Sequence, residues 1–139
     1  LLGTCMAVGS VTGALISARR NRPSTRVVTF GAIAFGAAEM LAAFSPSYTA
    51  FAFALPLCGA TALITLIAAN TTMQISVPAR LRGRVMGVYF AVFMGGTPVG
   101  SPIVGRLAEL YTPRFTLFFG GAISAATAIV CYFFFEQAR

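Results

Sequence analysis

Histidine and lysine are both missing from the 139 residues, and only three residues are acidic. Without histidine the chain can build no His-based zinc site, no Ser-His-Asp triad and no histidine proton relay. The three cysteines, Cys5, Cys58 and Cys131, each fall inside an apolar run. Their spacing fits neither a metal motif nor a disulfide framework, so they read as small buried hydrophobes. Walker, HExxH and hydrolase motifs are also missing. These absences predict no enzyme, no cofactor and no metal. Charged residues make up 9% of the chain, against about 25% in an ordinary soluble domain. A soluble fold so poor in charge could not cover its own surface, so lipid or other helices are the expected solvent for most side chains.

Hydrophobic residues account for 58% of the sequence. They form five runs, at about 1–18, 27–44, 48–69, 85–105 and 115–135. About 20 helical residues cross a 30 Å hydrocarbon core, and in lipid each run must satisfy its own backbone hydrogen bonds. The predicted fold is therefore an all-α membrane protein with five transmembrane helices. The period-two alternation of a membrane barrel is not present. Short connectors predict antiparallel neighbours. The sequence opens on Leu1 within apolar sequence, with no charged segment ahead of it. It therefore reads as a piece of a longer protein, with N-terminal helices missing, rather than as a signal peptide.

All ten basic residues are arginine, and they sit in connectors rather than on one basic face, which speaks against nucleic acid as a partner. Arg19, Arg20, Arg22, Arg26, Arg80, Arg82, Arg84 and Arg139 fall on one side of the alternating spans, and Arg106 and Arg114 on the other. The positive-inside rule then predicts a multi-pass protein of the cell membrane with a cytoplasmic C-terminus.

Within this frame a few residues stand out. Glu39 is the one charge inside the apolar runs. An acid at that depth costs about 2.5–3.5 kcal/mol on insertion scales, so it should face other helices or a watery path. It reads either as a proton-coupling or cation-binding acid, or as a hydrogen-bonded acid holding two helices together. Pro98, Gly100 and Pro102 lie in the segment GGTPVGSPIVG, where missing backbone donors predict a bent or loosened helix. That bend reads as a gating element or as a packing kink. Asn70 and Gln74, four apart, share a helix face at the end of the third run. They line an inner mouth or mark a wetted interfacial end. Arg80, Arg82 and Arg84 set topology or latch one conformation by pairing with acids or helix C-termini. Gly9 with Gly13, and Gly96 with Gly100, carry the four-residue spacing that lets helix backbones approach closely.

The run NTTMQISVPARLRGRVMGVYFAVFMGGTPVGSPIVGRLAELYTPR resembles the late part of the C-terminal half of major facilitator superfamily transporters, close to bacterial siderophore and multidrug exporters. Asn70, Gln74, residues 81–86, Pro98, Gly100, Gly105, Leu107, Ala108, Glu109 and Arg114 carry the resemblance. The opening run, ending in ALISARRNR, resembles the eighth span and its basic loop. The loop acid of the superfamily is missing after Ser17. The resemblance implies spans eight to twelve of a twelve-helix bundle that works by alternating access. It also implies proton-driven export of a small-molecule substrate, with protons, the lipid bilayer and the missing N-terminal helices as partners. The alternative is an independent five-span protein with a structural or assembly role.

Overall fold

A computed structural model of the chain describes residues 2–19 and 24–137, with side chains up to residue 134. Leu1, Arg20, Arg22 and Arg139, which entered the readings of the first run and of the charge asymmetry, lie outside the described residues. Five helices follow in order: α1 Leu2–Ala18, α2 Thr25–Ala43, α3 Tyr48–Ser76, α4 Arg82–Leu110 and α5 Pro113–Gln137. No strand occurs among the described residues. The helices α2 to α5 are long and apolar enough to cross a membrane. The described part of α1 has 17 residues, which rise about 26 Å.

Local chemistry sets the helix ends. Ser24 is extended, and its carbonyl accepts the Val27 amide at 2.9 Å. The Ser47 hydroxyl oxygen accepts the Ala50 amide at 3.2 Å and caps α3, as Ser does at an N-cap. α3 runs past Ala69, because Asn70, Thr71, Thr72 and Gln74 continue the helix to Ser76. It stops at Val77, which is extended because the following Pro78 disfavours the helical conformation there. Pro113 opens α5, at a position where its missing N–H costs nothing. Pro56 lies inside α3, and Pro98 and Pro102 inside α4; both helices run through them without interruption.

The helices are arranged in a row. α1 packs on α3, α3 on α2, and α2 on α5, while α4 touches α5 and α3 only lightly. The expectation that short connectors make neighbours holds for α2 and α3, where residues 45–47 leave room only for a turn. It fails for α1 and α2, which do not touch among the described residues. The physical reason is reach. A connector from Ala18 to Thr25 can span about 20 Å, twice the 8–10 Å between packed helices, so α2 can lie on the far side of α3.

Small residues make the seams. A Cβ at Gly9 would overlap the Pro56 carbonyl, and one at Gly13 would lie 2.5 Å from the Ala60 carbonyl oxygen. The order of these contacts makes α1 and α3 parallel. Gly59 on α3 answers from the other side, against Met6 and Ser10. The antiparallel α2–α5 seam is built the same way, with a Cβ at Gly36 falling 2.5 Å from the Gly121 carbonyl oxygen. Phe44 stacks edge-on against Phe118 at one end of that seam, at 5.4 Å between ring centroids. Ala38, Ala42 and Cys58 form the buried centre between α2 and α3, flanked by Phe51 and Ala54. The serine and threonine hydroxyls of the described residues bond mostly within their own helix. Those of Thr12, Thr29, Thr61, Thr65, Thr71, Ser101 and Thr127 all donate to carbonyls three or four residues back in their own helix.

Candidate functional site

Glu39 sits at the junction of three helices. Its own helix, α2, is anchored one residue earlier by Ala38, which is 2% exposed and packs against Cys58 of α3. On the other flank is the Gly120–Gly121 pair of α5. A Cβ at Gly120 would lie 3.9 Å from the Glu39 Oε2 atom, and one at Gly121 would lie 3.0 Å from the Glu39 Cβ. Gly121 leaves room for the Glu39 Cβ, and Gly120 lies beside its carboxylate at ordinary contact distance. Glu39 is half-buried, and among the described residues no hydrogen bond or ion pair reaches it. The acid stands beside the glycine pair of α5. The Gly120–Gly121 pair was not singled out from the sequence. Its kinship with Gly36, as a second small patch on a long apolar helix, was the available signal.

The end of α3 is a second polar place. Asn70 and Thr72 are partly covered, and the Asn70 Oδ1 and Thr72 Oγ1 atoms are fully buried with no hydrogen-bond partner among the described residues. Two residues apart, they point to opposite flanks of the helix. Thr71 between them is satisfied by the Ile67 carbonyl at 2.7 Å. Gln74 is exposed. An unpaired buried acceptor costs about 1–3 kcal/mol.

α4 is unlike the other helices. It has no buried residue, and a Cβ at Gly87, Gly95, Gly96, Gly100 or Gly105 would meet nothing within 4 Å. The close approach expected at Gly96 and Gly100 is therefore not made among the described residues, whereas that expected at Gly9 and Gly13 is. Pro98, Gly100 and Pro102 share this open helix, apart from both Glu39 and Asn70.

Arg80, Arg82 and Arg84 are exposed at the turn from α3 into α4. None pairs with a carboxylate among the described residues. Arg19 and Arg26 are exposed at the same end of the row, since α1 and α3 end there and α2 and α4 begin there. Arg106 and Arg114 lie at the opposite end.

Residues 1–137 match a family model described as transmembrane secretion effector. No curated protein and no solved structure matches the chain.

Proposed function

The chain belongs to the transmembrane secretion effector family, within the major facilitator superfamily of membrane transporters, and from that premise we propose that it forms part of a proton-driven exporter of small molecules. The observation that carries the reading is Glu39, half-buried beside Gly120 and Gly121 with no hydrogen bond or ion pair among the described residues. An acid held in the membrane without a partner is where a proton or cation can be taken up and released. Alternating access supplies the cycle: Glu39 binds a proton from one side and yields it to the other as the helices rock.

Other residues take supporting roles in this reading. Asn70, with its unpaired carbonyl, and Gln74 line the inner mouth of the path. Pro98, Gly100 and Pro102 make α4 the helix that yields. Each proline removes a backbone hydrogen bond, and the open surface of α4 leaves room for movement. The end carrying Arg19, Arg26, Arg80, Arg82 and Arg84 faces the cytoplasm of a cell-membrane protein, and the C-terminus lies on that side. Further helices of the same protein supply the opposite wall.

The test is transport by the intact protein in vesicles with an imposed pH gradient, across a panel of small molecules. Glu39→Gln keeps the shape and removes the ionisable group. It should abolish gradient-driven transport while leaving insertion and thermal stability near those of the parent. Unchanged transport with unchanged pH dependence would reduce Glu39 to a structural acid.

A further inference from the structure

The α3–α4 turn carries charge that the fold itself does not use. Arg80, Arg82 and Arg84 are exposed, and among the described residues none meets a carboxylate. Nor do Arg82 and Arg84 serve their helix. They stand in the first turn of α4, where no acidic residue is present and Leu81 makes no side-chain cap. Cations at a helix N-terminus oppose the helix dipole.

Depth explains the placement. The apolar stretch of α4 begins at Val85, so a hydrocarbon edge set there places Arg84 and Arg82 within about 5 Å of it along the axis. This is the headgroup layer, where phosphates lie. Apolar side chains accompany the charges: Ile75 in the last turn of α3 and Leu81 are 66% and 45% exposed. Guanidinium groups beside exposed aliphatic side chains suit an interface with acidic lipid. The stems and aliphatic groups meet acyl chains while the charged heads stay among phosphates.

We propose that the α3–α4 turn, through Arg80, Arg82 and Arg84, is a docking surface for anionic lipid headgroups. The positive charge of the guanidinium groups, held close to the headgroup phosphates, supplies the recognition. A basic residue near an acidic membrane surface contributes about 1 kcal/mol, or roughly fivefold in preference for acidic over neutral lipid.

The test measures bound lipid rather than transport, so it stands or falls apart from the export reading. The intact protein is reconstituted in equimolar phosphatidylglycerol and phosphatidylcholine, extracted into mild detergent, and its retained lipids are quantified by mass spectrometry. The parent should be enriched in phosphatidylglycerol. The triple variant R80A/R82A/R84A should lose that enrichment by about tenfold or more, while R80K/R82K/R84K and R106A/R114A keep most of it. Raising the salt on the parent screens the same charges and should lower the enrichment, a readout that survives if the alanine variant fails to insert. Equal retention of both lipids by the parent, or full enrichment in the alanine variant, overturns the proposal. So does loss of enrichment in the lysine variant, which would mark a requirement for guanidinium geometry rather than for charge.

Discussion

At the scale of single residues, the polar groups divide by whether they find a partner. Most hydroxyls are satisfied by their own helix, as Thr71 is at 2.7 Å from the Ile67 carbonyl oxygen. Glu39 and Asn70 are different, since no hydrogen bond to Glu39 or to Asn70 Oδ1 is found among the described residues. Replacing an unsatisfied buried acceptor by an apolar group of similar shape removes a desolvation cost. Asn70→Leu is therefore expected to keep or raise thermal stability, by about 1 kcal/mol, while lowering the transport rate. A loss of stability, measured by thermal unfolding of the purified protein, would show that Asn70 serves the fold and not the path.

At the scale of helices, the glycines sort themselves by what lies opposite. Adding one methyl at Gly13 or Gly121 places it against backbone, at 2.5 Å from the Ala60 carbonyl oxygen or 2.7 Å from that of Gly36. Backbone cannot rotate away as a side chain can, so Gly13→Ala and Gly121→Ala should each destabilise by about 1–3 kcal/mol. Gly96 has nothing within 4 Å, so Gly96→Ala should be neutral or stabilise by up to about 1 kcal/mol through helix propensity alone. Unfolding of the three variants in detergent separates the two cases, and equal losses at all three would sink the distinction. Much of this level was legible in the sequence. Twenty-residue apolar runs have only one backbone solution in lipid, and the Gly9–Gly13 spacing announced a close seam. Helix order was not legible, because the lateral neighbours of a helix depend on long-range packing that neither period nor composition encodes. The vacancy along α4 was invisible for the same reason. The Gly96–Gly100 spacing is the same whether or not a second helix lies against it. The setting of Glu39 needed two elements at once, the acid on α2 and the glycine pair on α5, and only the fold brings them together.

At the scale of the whole molecule, the decisive fact is that α1, α3, α2 and α5 form a row one helix thick, with α4 barely attached. Such a row has two broad faces and little interior; among the described residues no large side chain is completely buried. A path for a polar substrate needs walls on every side, because lipid offers no hydrogen bonds to replace those of water. A single row cannot enclose one, so residues 1–139 expressed alone are expected to insert into vesicles yet carry no pH-driven transport. Their arrangement can be read from native thiols. Cys58 is 5% exposed, between α2 and α3, whereas Cys131 lies exposed on the outer surface of α5. A lipid-soluble maleimide should therefore label Cys131 well before Cys58. Transport by the isolated chain, or equal labelling of the two thiols, would mean that the row closes on itself or on a second copy in the bilayer. In that case the opposite wall would come from this chain and not from further helices.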